Sequence, residues 1–428
     1  MISATEREAI VAHNKREVIP AIGCTEPVAV SLCVARATEL LGCRPEKISV
    51  QLCANILKNA MGVGIPGSGM IGLPIAIALG ASVGRSEYGL EVLKDADTAA
   101  VEAGKKYIDE QRISIDLKEG ITEKLYIEVE AESGKHRAVA TISGGHTSFV
   151  YLERDGEVLQ DCRTASADAE NDEDVTLTLR QVYDFAMTSP LEEIEFIMES
   201  MRLNKAAAES AFSADYGHSL GKTLRGEREL KVLGDSIFTR ILSYTASACD
   251  ARIGGAMVPV MSNSGSGNQG ITATLHVVVY GEECGATHEQ MVRALILSHL
   301  TVIYIKQSLG RLSALCGCVV AASGSSCGIT YLMGGGYEEI AMAVKNMIAN
   351  LTGMICDGAK PSCALKLASG VSTAVLSAMM AMEHRCVSKL EGIIDEDVDR
   401  SIRNLTTIGR EGMNETDGLI LDIMTNKC

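Results

Sequence analysis

Two kinds of hydrophobic pattern divide the chain into an N-terminal part that contains strands and a C-terminal part made of helices. Helical spacing predicts a first helix from Ala4 to Val18 and a second from Pro27 that ends at Gly42. The stretch EKISVQLCANIL alternates like a strand, and NAMGVGIPGSGMIGLPIAIALG predicts a glycine-rich loop that leads into an apolar helix. A charged helix is expected from about Glu91 to Gln111. From Lys124 to Leu159, alternation and glycine turns predict three short strands.

The pattern becomes helical after an acidic stretch from Ala167 to Asp174. We therefore expect an α+β fold with a mainly helical C-terminal bundle and a smaller α/β subdomain in the N-terminal half. The predicted units are residues 1–45, N-terminal helices that pack on the C-terminal region; residues 46–165, the α/β subdomain; and residues 175–428, the helical region. No period of 20 to 50 residues recurs, which argues against a repeat architecture.

Composition removes several classes of function. The 428 residues include 55 acidic and 39 basic side chains, no Lys/Arg-rich run and no tryptophan, so a nucleic-acid partner is not expected. The N-terminus carries charges throughout and has no apolar core of a secretory signal, which predicts a cytoplasmic protein. Two long uncharged segments, 253–280 and 312–337, are too rich in Gly, Ser and Asn for a membrane span, so no membrane partner is expected either. In a reducing compartment, the 14 cysteines indicate buried thiols, metal ligands or catalysis.

The stretch PAIGCTEP places a thiol at the start of the second helix. Proline suits the first helical turn, so Thr25 or Glu26 is the expected N-cap and Cys24 lies at the positive end of the helix dipole. This position predicts a lowered thiol pKa and a thiolate. The alternative for Cys24 is a small buried side chain beside a capping motif. Cys24 and Glu26 are the candidate catalytic residues, with Glu26 either a second acid-base group or only a helix cap.

The stretch MSNSGSGNQGIT is typical of an anion-binding loop. Its backbone amides can converge on a carboxylate or phosphate, and its polar side chains add hydrogen-bond donors and acceptors. The candidate binding residues are Ser264, Ser266, Asn268 and Gln269. The alternative, a flexible linker, fits poorly with the uncharged surroundings. The earlier glycine-rich stretch IPGSGMIG matches neither nucleotide-binding fingerprint and is interpreted as a tight loop.

The late cysteines form the densest cluster of chemical groups in the sequence. They occur in LCGC, SSCG and MICDGAKPSC. Paired Cys-x-x-Cys knuckles of a zinc site are missing, as is a thioredoxin motif. An iron-sulfur cluster and a set of buried thiols both remain open on these residues alone.

Taken together and in this order, PAIGCTEP, SGSGNQG, LCGC and GMICDGAKPSC resemble the iron-sulfur L-cysteine desulfidase family over essentially the whole chain. The late segments are similar, more distantly, to the cluster-binding domain of iron-sulfur L-serine dehydratases. The resemblance implies β-elimination of L-cysteine to hydrogen sulfide, ammonia and pyruvate with a 4Fe-4S cluster. It implies Cys316, Cys356 and Cys363 as ligands, with Cys318 and Cys327 as alternates for the first, and an open iron as Lewis acid.

In this interpretation Cys24 is the proton acceptor and the loop from Ser262 to Gly270 holds the substrate carboxylate, with Thr25 also assigned to substrate binding. The terminal Cys428 is a further thiol that could reach the cluster. The alternatives are an L-serine or related hydroxyamino-acid dehydratase and a non-catalytic iron-sulfur or metal sensor. The expected partner is a small amino acid, and a homo-oligomer is compatible with the sequence.

Overall fold

The computed structural model describes residues 2–121, 123–163, 175–310 and 312–426. Its N-terminal half contains α1 (Ala4–Glu17), β1 (Pro20–Ile22), α2 (Thr25–Leu41), β2 (Lys47–Leu52), α3 (Ala54–Ala60), α4 (Leu73–Ser82), α5 (Thr98–Asp109), β3 (Ile113–Leu117), β4 (Tyr126–Ser133), β5 (His136–Ser143), β6 (Phe149–Arg154) and β7 (Glu157–Asp161).

The C-terminal half is almost entirely helical. It contains α6 (Leu179–Thr188), α7 (Leu191–Ile194), α8 (Met198–Ser213), α9 (Leu220–Thr223), α10 (Glu227–Leu233), α11 (Ile237–Ile253), β8 (Pro259–Met261), α12 (Gly267–Glu283), α13 (His288–Leu309), α14 (Gly317–Leu332), α15 (Tyr337–Leu351), α16 (Cys363–Met382), α17 (Val398–Thr407) and α18 (Asn414–Thr425). The fold is α+β, as the sequence pattern predicted. The acidic stretch from Ala167 to Asp174 lies outside the described residues.

The main sheet has the strand order β3-β2-β4-β5-β6-β7. Strands β2 and β3 are parallel, and the other neighbours are antiparallel. The prediction of three strands between Lys124 and Leu159 was wrong, because each of the three turns there reverses the chain and yields four. Strand β3 was missed since its side chains are only partly buried, and the helix predicted from Glu91 starts at Thr98, where Asp97 caps it.

A short second sheet joins the segment before α2 to the segment before α12. Strand β1 pairs with β8 in antiparallel register, from Pro20 with Met261 to Ile22 with Pro259. The backbone amide of Ser262 continues this pairing by donating to the Ile19 carbonyl at 2.9 Å. Because the strands are antiparallel, α2 and the loop before α12 leave this sheet at opposite ends, and Arg252 links them by donating to the Gly23 carbonyl and to Asn268.

The buried side chains form two large cores. One combines α2, α4 and the inner face of the main sheet, and the other surrounds α12, α13 and α14 in the helical half. Among the described residues one helix, Cys363–Met382, is long and apolar enough to cross a bilayer by length and composition, and half of that window is buried inside the protein.

Candidate active site

One cavity of about 100 Å³ collects most of the residues singled out in the sequence. Those that line it are Cys24, Glu26, Ser266, Asn268, Gln269, Cys316, Cys356 and Cys363. The first of the segments that supply them lies more than 200 residues before the others in the chain, and the pairing of β1 with β8 holds it near the second. Its size suits a small metabolite and is well below that of a nucleotide or drug pocket.

Two predicted substrate-binding residues, Thr25 and Ser264, do not line this cavity. The Thr25 hydroxyl donates to Glu26 Oε2 at 3.0 Å, and the Ser264 hydroxyl donates to Asn263 Oδ1 at 2.8 Å. Both side chains therefore support residues next to the cavity.

The start of α2 forms a hydrogen-bonded acid-thiol pair. Cys24 is the N-cap, so the expectation that Thr25 or Glu26 would take that position was wrong. The Cys24 thiol donates to Glu26 Oε2 at 3.0 Å, and Asn59 Nδ2 donates to Glu26 Oε1 at 3.2 Å. The Glu26 carboxylate thus accepts from three side chains, which keeps it oriented toward the thiol.

The predicted thiolate at Cys24 was also wrong. Burial, followed by the neighbouring charge of Glu26, raises the pKa of the Cys24 thiol well above its usual value, while the charge of Arg252 acts in the opposite direction. Burial destabilises the thiolate more than the positive end of the helix dipole stabilises it. Cys24 is therefore a neutral thiol that is hydrogen-bonded to the Glu26 carboxylate.

Arg252, at the end of α11, is the main site residue that the sequence analysis missed. Its side chain is only 2% exposed and lines the cavity. Nε donates to the Gly23 carbonyl at 3.0 Å, and Nη1 donates to Asn268 Oδ1 at 2.9 Å. Both partners are neutral, so the guanidinium keeps its positive charge for a ligand. The available signal was a lone arginine directly before a long uncharged segment.

The loop before α12 is a tight reverse turn. Asn263 and Ser266 form an antiparallel bridge, and the two residues between them, Ser264 and Gly265, have φ of 47° and 78°. Positive φ at both central positions is the signature of a type I′ turn. A buried histidine fixes this turn, because Asn263 Nδ2 lies 3.0 Å from His299 Nδ1 and donates to the His299 carbonyl at 3.1 Å.

Gly267 opens α12 directly after this turn, and its lack of a side chain matters. A β-carbon at this position would lie 2.2 Å from Arg252 Nε. The first turn of α12 therefore packs against the guanidinium. Free amides at a helix start and an arginine side chain together make a suitable site for a carboxylate.

A short backbone pairing brings the late cysteines together. Leu315 and Ile355 form an antiparallel bridge, and the amides of Cys316 and Cys356 donate to carbonyls of the opposite segment at 2.9 and 2.6 Å. Cys316 is the N-cap of α14, and Cys363 is the first residue of α16. Three thiols from two segments thus face one cavity.

The two alternate ligands differ in position. Cys318 also lines the cavity, and its thiol donates to the Lys366 carbonyl at 3.1 Å. Cys327 lies fully buried within α14, where its thiol donates to the Ser323 carbonyl at 3.3 Å, and it does not reach the cavity. Cys428 lies outside the described residues.

The thiols lie close enough to influence one another. Burial, and after it the charge of Cys356, raises the pKa of Cys316 to about 12. Burial also raises the pKa of Cys363, and the positive charge of Lys366 lowers it. Deprotonation of such a group of thiols becomes favourable when a cation binds them.

Two hydrogen bonds hold the Lys366 side chain beside these thiols. Its Nζ donates to Asp357 Oδ1 at 2.5 Å and to the Ile355 carbonyl at 2.9 Å. Burial would raise the pKa of Asp357, but hydrogen bonds from Lys360 and Lys366 outweigh it and lower the pKa to about 2. The resulting ion pair ties α16 to the segment that carries Cys356.

The three late cysteines have the donor chemistry of iron-sulfur cluster ligands. Within the described ranges, no three His, Cys, Asp or Glu side chains stand close enough to hold one metal ion. In a four-iron cluster each thiolate binds a different iron, so its ligands stand farther apart than those of a single ion. Soft thiolate donors are the usual ligands of such a cluster.

Comparison with known proteins identifies the family. A family model described as serine dehydratase alpha chain matches residues 87–422. UPF0597 proteins are similar over the full length: one from Bacteroides fragilis is 70% identical over 426 residues, covering 100% of both chains. One from Bacteroides thetaiotaomicron is 70% identical over 423 residues, covering 99% of each chain, and one from Porphyromonas gingivalis is 54% identical over 432 residues, covering 100% of each. The chain belongs to the serine dehydratase alpha chain family.

Proposed function

We propose that this chain is an L-cysteine desulfidase that eliminates hydrogen sulfide from L-cysteine and yields ammonia and pyruvate. The observation that carries the proposal is the convergence of the Cys24–Glu26 pair, Arg252 and three cysteines on one small cavity. Family membership supports β-elimination from a small amino acid, and the motifs around Cys24 favour L-cysteine as that amino acid.

Arg252 and the start of α12 bind the substrate carboxylate in this proposal. The guanidinium is buried and has only neutral hydrogen-bond partners among the described residues, so it gains most from an incoming carboxylate. Ser266, Asn268 and Gln269 line the same cavity and supply further polar contacts. Fixing the carboxylate there holds the α-carbon in the cavity near Cys24.

Cys24 and Glu26 move the α-proton. Glu26 Oε2 accepts the thiol proton over a 3.0 Å hydrogen bond, which leaves a thiolate at Cys24 Sγ whose charge Arg252 stabilises. The thiolate then takes the α-proton, and the electrons of that C–H bond form the Cα–Cβ double bond as the Cβ–S bond breaks. The leaving sulfur departs as HS⁻ with the electron pair of the Cβ–S bond and takes the proton held by Glu26, which restores the Cys24–Glu26 pair. The aminoacrylate then tautomerises and hydrolyses to pyruvate and ammonia.

Cys316, Cys356 and Cys363 would hold a 4Fe-4S cluster in the same cavity. When bound by only three protein ligands, such a cluster offers an iron that acts as a Lewis acid toward the leaving group. The charge of Lys366 favours the thiolate forms of Cys316 and Cys363. A cytoplasmic location is proposed with it, since the ligand thiols must remain reduced.

L-Serine dehydratase activity is the second candidate, and the family match favours it. The same carboxylate site and proton acceptor would serve a hydroxyl leaving group. We place L-cysteine first because Leu312, Leu315 and Leu367 line the cavity together with the thiols. An apolar wall suits a weakly hydrated sulfur, whereas a hydroxyl would lose hydrogen bonds to water there. A non-catalytic sensor would need neither Arg252 nor the Cys24–Glu26 pair.

The test is anaerobic reconstitution of the chain with iron and sulfide, followed by parallel pyruvate assays with L-cysteine and L-serine. We expect equal amounts of sulfide and pyruvate from L-cysteine and a higher kcat/KM than for L-serine. The Cys24→Ser variant with the same iron content controls for the direct reaction of cysteine with iron. A higher kcat/KM for L-serine would favour the second candidate. A full complement of iron without pyruvate from either amino acid would contradict both.

A further inference from the structure

The outward face of α16 carries a line of uncharged residues, leucines and serines, that the rest of the described chain leaves exposed or partly exposed. The helix packs against α11, α14 and α15 on its other sides. Leu365 and Leu376 are 54% and 55% exposed. Between them on the same face lie Ser369 and Ser372, so successive positions are four, three and four residues apart. This spacing is that of the contact line in a pair of packed helices.

The line reads the same in both directions: Leu, Ser, Ser, Leu at spacings of four, three and four. A two-fold axis between Ser369 and Ser372 would therefore place Leu365 against Leu376 of a second copy, and Ser369 against Ser372. Isologous interfaces require such self-complementary patches. We propose that the α16 face, defined by these four residues, is the centre of a homodimer interface in which two α16 helices pack antiparallel.

The two serines at the centre can be buried at little cost. The Ser369 hydroxyl donates to the Leu365 carbonyl at 3.2 Å, and the Ser372 hydroxyl donates to the Ala368 carbonyl at 2.9 Å. Both hydroxyls already have partners within their own helix, so a second copy would not strand a polar group. Their small size also allows the two helices to approach closely.

Charge does not oppose a second copy at this face. The chain has a formal net charge of −16, so two copies repel one another over most of their surface. From Leu365 to Met380 the only charged residue is Lys366, and it is bound to Asp357. The α16 face is thus an uncharged line along which two acidic chains can meet.

The face forms the core of the interface, and its surroundings must complete it. A 20-residue helix is about 30 Å long and about 10 Å wide, so a pair buries on the order of 600 Å² in total. A standard interface buries at least about 1,200 Å². The apolar line continues past Leu376 through the exposed Met379 and Met380, and the polar residues Glu383 and Arg385 follow as a rim.

The test is the mass of the full-length chain in sedimentation equilibrium, under anaerobic conditions. We expect the native chain to have twice the mass of the Leu365→Glu and Leu376→Lys single variants. The double variant should regain the twofold mass, because each new glutamate would face a lysine of the second copy. Leu159→Glu, at a leucine of β7 with 51% exposure, is the matched control and should leave the mass unchanged. Thermal unfolding verifies that each variant is folded.

Several outcomes would overturn the proposal. A native chain that stays monomeric at every concentration, or a dimer that both single variants retain, rules out this face. A double variant that remains monomeric rules out the antiparallel register. Flotation of the native chain with phosphatidylglycerol vesicles, in place of self-association, would show that a membrane covers α16. The proposal does not depend on the substrate, so it can fail while the desulfidase assignment stands.

Discussion

Replacement of Arg252 by methionine is the sharpest test of how substrate is recognised. Methionine keeps the volume of the aliphatic part and removes the charge that is proposed to bind the carboxylate. Breaking a buried charge pair by removing one partner costs about 3–5 kcal/mol. At about 1.4 kcal/mol per factor of ten, kcat/KM should fall roughly 100- to 4,000-fold.

The assay compares two amino acids and one analogue. L-Cysteine and L-serine share the carboxylate, so Arg252→Met should lower kcat/KM for both by the same factor. Cysteamine lacks a carboxylate, and we expect it to compete poorly with L-cysteine in the native enzyme. In the variant this difference should largely disappear. Arg252→Lys keeps the charge without the planar donor set and should give a smaller loss.

Iron content and thermal unfolding must first match those of the native chain, since Arg252 also bonds to Gly23 and Asn268. With those controls met, a kcat/KM within about tenfold of native would refute the assignment of Arg252. A loss confined to one of the two amino acids would also refute it. So would an unchanged preference for L-cysteine over cysteamine.

Two further substitutions test the surroundings of this residue. Gly267→Ala would place a methyl group against the Arg252 guanidinium and should raise KM roughly 10- to 100-fold, the value of one charged hydrogen bond. Gly353→Ala, which has open space around it, is the control and should leave KM unchanged. An unchanged KM in Gly267→Ala would contradict the packing argument. Glu26→Gln removes a charge that raises the pKa of Cys24, so this pKa should fall and alkylation of Cys24, followed by mass spectrometry in the cluster-free chain, should begin at lower pH than in the native chain. An onset at the same or a higher pH would show that Glu26 does not control the thiol.

Much of the scaffold around the site was predictable because its signals are local. The end of α2 at Gly42 follows from a glycine with φ of 80°, and the alternation of the β2 and β4 segments matches their half-buried positions. The loop before α12 was likewise expected from its serines and glycines, and Ser264 and Gly265 have positive φ there. Caps, turns and strand alternation depend on neighbours in sequence, and sequence reasoning handles them well.

The electrostatics of the site were not predictable in the same way. The thiolate at Cys24 was expected from the helix dipole alone, whereas its pKa depends on burial by distant segments and on Glu26 and Arg252. The role of Arg252 follows only from its contacts with Gly23, which is 229 residues away in the chain, and with Asn268, which lies on α12. Helical periodicity identifies buried positions, but it does not show which buried charge faces a cavity.

The choice among the late cysteines shows the same limit. Spacing left Cys316, Cys318 and Cys327 as equivalent candidates. Folding separates them, because Cys327 lies inside α14 and the other two line the cavity. The bridge between Leu315 and Ile355, a long-range contact, is what brings Cys316 near Cys356.

The iron content of single cysteine variants, after anaerobic reconstitution, tests the central claim most directly. We predict that Cys316→Ser, Cys356→Ser and Cys363→Ser each lose most of the iron bound by the native chain. Cys327→Ser, at a buried thiol away from the cavity, should keep it. Cys24→Ser should also keep its iron while losing most turnover. Full iron in all three ligand variants would contradict the account, and loss of iron from Cys24→Ser would make Cys24 a ligand in place of a proton acceptor.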